Sequence, residues 1–132
     1  MHQKVTLIGH LGNDPESRFL GDGTQVTNFS LATSERWKGA DGEQKERTTW
    51  WRVACWRGLA ETVNKYLSKG SRVFVEGRMN PDDNGSPRLF ERNDGSTGAS
   101  YELTADTVRF LDRRGEGPAK EQSAEEELAD LF

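Results

Sequence analysis

Polar and apolar residues alternate over several short segments of the chain, which is the pattern of β-strands with one buried face. The clearest segment spans residues 48–57 and reads Thr-Thr-Trp-Trp-Arg-Val-Ala-Cys-Trp-Arg, with aromatic and β-branched residues and no glycine or proline inside it. Because side chains along a strand point alternately to its two faces, Trp50, Arg52 and Trp56 share one face. The intervening residues, which include Trp51 and Val53, share the other face.

Two interpretations of this strand stay open on its residues alone. Aromatic side chains in strands are usually buried, and an arginine can lie across a core edge with its charged end in water. However, the face with Arg52 between two indoles is hard to place inside a core. Flat apolar rings beside a positive charge suit the bases and phosphates of single-stranded nucleic acid, so this face is also a candidate binding surface.

Four further segments are predicted to be strands. They span residues 4–9, residues 25–33 with a possible continuation to Trp37, residues 71–77 and residues 101–111. Residues 80–99 are polar and contain several glycines and prolines, apart from the short segment Arg88-Leu89-Phe90. This composition predicts a long β-hairpin arm.

The periodicity changes directly after the tryptophan-rich strand. Val63 follows Leu59 by four residues, and Tyr66 and Leu67 follow Val63 by three and four, which predicts a short amphipathic helix over residues 58–67 with Gly70 suited to a left-handed cap. Five strands with one helix between the third and the fourth match the OB-fold, a Greek-key barrel that binds oligonucleotides on one face. The sequence therefore predicts an all-β, five-stranded OB-fold.

Length and charge divide the chain into a body and a tail. The 132 residues suit one domain, which we assign to residues 1–111. Residues 112–132 hold seven acidic and three basic residues, which accounts for the whole net charge of −4. A neutral body can still present a basic stripe. We predict a flexible linker over residues 112–124 and a disordered, acidic tip over residues 125–132.

Cysteine content and hydropathy lead to an expected location. Cys55 is the only cysteine, so a disulfide within the chain is impossible. No apolar run approaches the length of a membrane span, and the first residues lack the apolar segment of a signal peptide. We therefore expect a soluble, cytoplasmic protein without a membrane partner.

Five segments of the chain, taken in order, form a characteristic set. They span residues 5–15, 29–37, 49–53, 66–70 and 73–77, and they read VTLIGHLGNDP, FSLATSERW, TWWRV, YLSKG and VFVEG. Together they resemble the bacterial single-stranded DNA-binding proteins over about residues 3–111. The resemblance implies an OB-fold homotetramer, located at the nucleoid, that wraps single-stranded DNA in replication, recombination and repair.

The resemblance also implies roles for individual aromatic residues. The base-stacking residues fall on Trp37, Trp50, Trp56 and, in the hairpin arm, Phe90. Trp51 falls near the subunit interface, where its indole is larger than the polar residue often present in the family. We therefore expect tighter or altered packing between subunits.

Basic residues near the predicted strands are candidate phosphate contacts. Arg36 and Lys38 flank Trp37 in the sequence, and this triplet of cation, indole and cation is hard to reconcile with a core position. For each surface arginine, a solvated charge without a partner is the alternative. The candidates are Arg18, Arg36, Lys38, Arg52, Arg57, Arg72 and Arg78.

The acidic tip contains apolar residues that a purely solubilising tail does not need. The resemblance implies that this tip docks on replication and repair proteins. Its acidic side chains would approach a basic surface, and Phe132 would fill an apolar pocket. The residues of the tip are Glu125, Glu126, Glu127, Asp130, Leu131 and Phe132.

The sequence contains no constellation that suits catalysis. His2 and His10 are the only histidines, no Cys/His spacing suits zinc, and no nucleophile has a partner base. We therefore expect neither enzymatic activity nor a cofactor. Two other binding functions stay open, namely an OB-fold that contacts mainly proteins and an OB-fold that binds RNA.

Overall fold

Buried and exposed side chains alternate along the long strands, and the strands form a barrel that encloses the buried face. The computed structural model describes residues 1–112. Its elements in chain order are β1 (Val5–Leu11), β2 (Glu16–Phe19), β3 (Gln25–Lys38), β4 (Gln44–Trp56), α1 (Gly58–Tyr66), β5 (Arg72–Met79), β6 (Arg88–Glu91) and β7 (Thr97–Phe110).

Five of these strands close on themselves. The order around the barrel is β1, β5, β7, β4 and β3, and β3 returns to β1 through the pairs His10–Ala32 and Leu11–Leu31. Neighbouring strands are antiparallel, except that residues 51–54 of β4 run parallel to residues 101–104 of β7. The helix α1 lies between the third and fourth barrel strands in chain order, so the predicted OB-fold is confirmed.

The inner face of β4 belongs to the hydrophobic core. Val53 and Cys55 are fully buried against Phe29 and Leu31 of β3. Helix α1 packs its buried residues on the same core, and the Thr27 hydroxyl donates a hydrogen bond of 2.8 Å to the Ala60 carbonyl. Other fully buried members of this core are Val63, Val73, Val75 and Leu103.

The predicted helix cap at Gly70 is wrong. The helix already ends at Tyr66, because Leu67 takes an extended conformation with φ −95° and ψ 151°. Gly70 does adopt a left-handed φ of 89°, but it does so in a turn closed by a hydrogen bond of 3.0 Å from the Ser71 N–H to the Ser68 carbonyl. The glycine therefore serves the turn that leads into β5.

Two hairpins extend the fold beyond the closed barrel. After Ala32 in β3 and before Trp51 in β4, the two strands pair only with each other. Residues 33–38 and 44–49 form what we call the β3–β4 ribbon. In the predicted arm, residues 88–91 pair with residues 97–100, so β7 begins four residues before the predicted boundary. The preceding residues form a loop in which the Asp82 carboxylate accepts hydrogen bonds from the N–H groups of Asn84 and Ser86.

Within residues 1–112, the structure has no helix with the length and apolar character that a membrane crossing requires. The predicted acidic tip, and the predicted linker apart from Asp112, lie outside the described residues.

Candidate nucleic-acid interface

Cross-strand pairing determines what the outer face of β4 carries. Trp50 lies opposite Ala32, Trp56 lies opposite Val26, and the exposed Arg52 stands between the two indoles. Trp50 is 55% exposed and Trp56 is 41% exposed. Trp50 and Trp56 are six positions apart on the strand, so their Cα atoms are about 20 Å apart. The core interpretation is therefore wrong for these two indoles, and the face is open to solvent.

Trp50 is seated on the loop between β1 and β2. A Cβ atom at Gly12 would lie 2.3 Å from Cζ3 of the indole, so a side chain at this position would displace the ring. The next residue, Asn13, fixes the loop to β3, because its carboxamide oxygen accepts hydrogen bonds of 2.9 Å from both the N–H and the hydroxyl of Ser30. The indole is thus supported by a loop that is itself anchored to the barrel.

A cleft of about 350 Å³ opens beside Trp50. It lies between β4, the loop after β1 and the hairpin arm, and its lining also includes Phe29, Trp51 and Tyr101. Its lining combines aromatic rings, a cation and several hydrogen-bonding groups, a composition that suits a nucleobase and its sugar–phosphate backbone. The residues that line it include Asn13, Glu16, Trp50, Arg52, Phe90 and Ser100.

The hairpin arm brings Phe90 to this cleft. The ring is 46% exposed and lies across Gly98, where a Cβ atom would come within 2.6 Å of Cζ. The Arg92 guanidinium lies 5.5 Å from the ring centroid. The arm therefore places an aromatic ring next to Trp50 and Arg52, while the stacking role of Phe90 stays a prediction.

Trp37 lies on the β3–β4 ribbon and is 42% exposed. It pairs with Lys45, whereas Arg36 and Lys38 point to the opposite face of the ribbon because side chains alternate along a strand. Arg36 instead forms an ion pair of 3.7 Å with Glu46. The triplet seen in the sequence is therefore not a cluster in space.

The cation that does approach Trp37 comes from β4. The guanidinium of Arg47 lies 5.4 Å from the indole centroid, and its Nη2 atom contacts the two carboxylate oxygens of Glu35 at 3.2 and 3.3 Å. The local sequence pattern did not single out Arg47. The signal that identifies it is the strand register, which puts Glu35 opposite Arg47 and two residues from Trp37.

Two of the predicted phosphate contacts lie near Trp56. Arg18 pairs with Val26, which on its other side pairs with Trp56, so the arginine is on the same face, two strands away. Arg57 directly follows the indole and is exposed at the start of α1, with a left-handed φ of 59°. Arg18 and Arg52 share one face of the barrel with Trp50 and Trp56, and Arg57 is exposed directly after that strand.

Two other predicted contacts lie elsewhere. Arg72 and Arg78 are on β5, which β7 separates from β4. The Arg72 guanidinium donates a hydrogen bond of 3.2 Å to the Leu111 carbonyl, and Arg78 forms an ion pair of 3.8 Å with Asp106. The structure does not bring this pair of arginines beside Trp50 or Trp56.

Trp51 faces away from its neighbour Trp50. Its indole packs against the core, donates a hydrogen bond of 3.1 Å to the Thr33 hydroxyl, and lies 5.2 Å from the ring of Tyr101. Tyr101, which the sequence analysis did not single out, is 52% exposed. The predicted position of Trp51 near a subunit interface stays a prediction.

Residues 1–112 present neither a reactive thiol nor a cluster of metal ligands. Burial raises the pKa of the Cys55 thiol to about 12, so this group is neutral near pH 7 and is a poor nucleophile. Within residues 1–112, no three His, Cys, Asp or Glu side chains come together in a way that could hold a metal ion.

Comparison with known proteins gives similarities of three kinds, namely to a family model, to curated proteins and to a solved structure. The family model described as the single-strand binding protein family matches residues 2–111. A curated protein of Neisseria meningitidis named single-stranded DNA-binding protein is 41% identical over 113 residues, which cover 86% of this chain and 62% of that protein. Another, of Chlorobaculum tepidum, named single-stranded DNA-binding protein 1, is 53% identical over 76 residues, which cover 58% of this chain and 47% of that protein.

The third similarity is structural. A solved structure described as the Plasmodium falciparum SSB complex with ssDNA superimposes with a TM-score of 0.70 and 30% sequence identity, and the match covers 85% of this chain and 97% of the solved one. The chain spans less than two thirds of the length of the two curated relatives.

Proposed function

The chain belongs to the single-strand binding protein family, and on that premise we propose that it binds and protects single-stranded DNA without sequence preference. The observation that carries this proposal is the open face of β4, where Trp50 and Trp56 flank Arg52 beside a cleft that also contains Phe90. Each base stacked on an aromatic ring contributes about 1–3 kcal/mol, and a flat ring accepts every base. The names of the relatives and the ligand of the solved complex support the same substrate.

In this proposal, stacking on Trp37, Trp50, Trp56 and Phe90 provides most of the affinity, and cations determine its salt dependence. Each phosphate neutralised contributes about 0.7 to the slope of log K against log salt for a single strand. Arg18, Arg52 and Arg57 are the contacts best supported by their location. Arg72 and Arg78 would meet only DNA that continues past β7.

Quenching of tryptophan fluorescence tests the proposal. We expect oligo-dT to quench the emission strongly, since bases stack directly on the indoles, and we expect duplex DNA of the same sequence to quench it weakly. Equal affinity for oligo-U would favour an RNA-binding OB-fold instead. If none of the three nucleic acids quenches the emission, the proposal is wrong, and a protein-interaction module becomes the better hypothesis.

We also propose that the chain assembles as a homotetramer with Trp51 near a subunit interface. The family resemblance supports the assembly, and the exposed ring of Tyr101 against Trp51 offers an aromatic surface that a second subunit could cover. Mass measurement in solution tests the stoichiometry. Trp51→Ala should change the oligomer mass or the thermal stability, and a variant that changes neither would exclude this role.

For residues 125–132 we propose docking on replication and repair proteins through the acidic side chains and Phe132. The composition of this segment and the family resemblance support the proposal. Removal of these eight residues should abolish capture of a purified helicase or nuclease partner and should tighten DNA binding at low salt, because the acidic segment competes with DNA for cations. Undiminished capture by the shortened chain would contradict this role. The proposed activity is binding alone, without catalysis or a cofactor.

A further inference from the structure

The β3–β4 ribbon carries a cluster of three side chains on one face. Strand register pairs Glu35 with Arg47, and Trp37 follows two residues later on β3. The Arg47 guanidinium lies 5.4 Å from the indole centroid of Trp37, within the range of a cation–π contact. The same guanidinium contacts Glu35 through Nη2 at 3.2 and 3.3 Å. One arginine is therefore held by a carboxylate and by an aromatic ring at the same time.

We propose that Arg47 positions Trp37 and binds the phosphate next to the base that stacks on this indole. The inference rests on the proposed single-stranded DNA binding. It assigns the cation at this part of the surface to Arg47, whereas the sequence pointed to Arg36 and Lys38. The cation–π contact occupies one side of the indole, and the 42% exposure of Trp37 gives a nucleobase access to the ring.

The guanidinium has donors to spare for a phosphate. An arginine carries five N–H hydrogens in a planar fork that matches phosphate oxygens. The contact with Glu35 uses Nη2 alone, so the hydrogens on Nε and Nη1 are not part of this ion pair. The Arg47 side chain is 63% exposed, which allows a strand that lies on Trp37 to reach it.

Glu35 keeps Arg47 in place until DNA arrives. The Glu35 side chain is 65% exposed, and ion pairs as open to solvent as this one contribute little to stability. A phosphate can therefore take over from the carboxylate at low cost. In the bound state the guanidinium stays beside the indole, and a phosphate that first reaches it through Nε and Nη1 replaces the carboxylate at Nη2.

The ribbon also contains a matched comparison for Arg47. Arg36 is one residue from Trp37 in sequence and forms an ion pair of the same type with Glu46 at 3.7 Å. Its side chain is 70% exposed. The two arginines therefore share charge, exposure and secondary structure, and they differ in the face of the ribbon from which they project.

A double-mutant cycle on the full chain tests the inference, with fluorescence anisotropy of labelled oligo-dT as the measure of affinity. We expect Arg47→Met to weaken binding several-fold and to reduce the salt slope by about 0.7 per subunit. In a Trp37→Ala background, Arg47→Met should lose most of its effect, since the base that orients the phosphate no longer stacks. Arg36→Met should combine with Trp37→Ala additively, within about twofold.

Additive effects of Arg47→Met and Trp37→Ala would overturn the inference, and so would equal coupling for Arg36→Met. In both cases the unaltered chain still binds oligo-dT, so the proposed function survives. Failure of the unaltered chain to bind oligo-dT overturns both. If Arg47→Met changes the oligomer mass, Arg47→Lys replaces it in the cycle, because it keeps the charge and loses the planar fork. An affinity for Arg47→Lys equal to that of the unaltered chain would contradict the phosphate contact by the fork.

Discussion

Trp50 and Trp51 are neighbours with the same side chain, and they belong to different parts of the molecule. Trp50 is 55% exposed on the outer face of β4, rests on Gly12 and borders the cleft. Trp51 lies on the inner face, packs against the core and donates a hydrogen bond to Thr33. One peptide bond separates an exposed ring on the outer face from a ring that packs against the core, although both residues line the cleft.

The difference shows how one strand can serve stability and binding separately. Substitutions on the inner face of β4, or on the residues packed against it, should lower the free energy of unfolding and leave DNA affinity per folded molecule intact. Substitutions on the outer face should lower DNA affinity and leave the free energy of unfolding nearly unchanged, since exposed rings contribute little to folding. Since the proposed assembly is oligomeric, all stability comparisons belong at one protein concentration.

The largest effect is expected in the core opposite β4. Phe29 is 1% exposed and pairs with Val53, so Phe29→Ala leaves a cavity in the barrel. We expect a loss of about 3–5 kcal/mol in the free energy of unfolding. Urea denaturation measures it, and oligo-dT affinity at low temperature should be unchanged. A loss below about 1 kcal/mol would show that the core relaxes around the missing ring.

Trp50→Ala probes the outer face. We expect this substitution to weaken oligo-dT binding by about 1–3 kcal/mol per stacked base. The free energy of unfolding should change by less than about 0.5 kcal/mol, as for most surface substitutions. Calorimetric titration and urea denaturation measure the two quantities.

Trp51→Phe is the matched control on the inner face. It removes the hydrogen bond to Thr33 and should cost about 0.5–1.5 kcal/mol of stability without affecting binding. Equal destabilisation by Trp50→Ala and Trp51→Phe would contradict the proposed division between a binding face and a structural face. Equal loss of oligo-dT affinity in the two variants would contradict it as well.

The buried thiol of Cys55 gives the inner face a pH dependence. Burial raises its pKa from 9.0 to about 12, so above pH 9 the unfolded chain releases a proton that the folded chain keeps. The stabilising contribution is complete below pH 9 and is lost as the pH rises toward 12. At pH 10 the loss is about 1.4 kcal/mol.

Urea denaturation of the unaltered chain and of Cys55→Ala at pH 8 and pH 10 isolates this contribution. The stability difference between the two proteins should shrink by about 1.4 kcal/mol over that interval, because only the unaltered chain has the thiol. Parallel pH profiles of the two proteins would mean that the thiol is not protected by burial.

The smallest effect is expected at the support of Trp50. Gly12→Ala places a Cβ atom 2.3 Å from the indole, so the ring must move. Because the ring is exposed and can swing toward water, we expect a loss of about 1 kcal/mol in binding and almost none in stability. Gly21→Ala is the control, since no atom other than those of its chain neighbours lies within 4 Å of its Cβ position. Equal affinities of the two variants would show that the seat of Trp50 is unimportant.

Local pattern was sufficient for much of this protein. Alternation along residues 48–57 correctly separated the exposed rings of Trp50 and Trp56 from the buried Val53 and Cys55, because the direction of a side chain in a strand depends only on its position along that strand. The barrel was identified from the order of the elements, because five strands with one helix between the third and the fourth match the OB-fold. The cap at Gly70 was missed because the end of a short helix depends on the turn that follows it.

Tertiary structure decided which side chains meet. The register between β3 and β4 puts Arg47 beside Trp37 and sends Arg36 and Lys38 to the other face, and closure of the barrel leaves Arg72 and Arg78 on β5, away from the indoles. A single sequence contains the period of each strand. It does not contain the offset between two strands, because that offset is set by hydrogen bonds and core contacts between residues far apart in the chain.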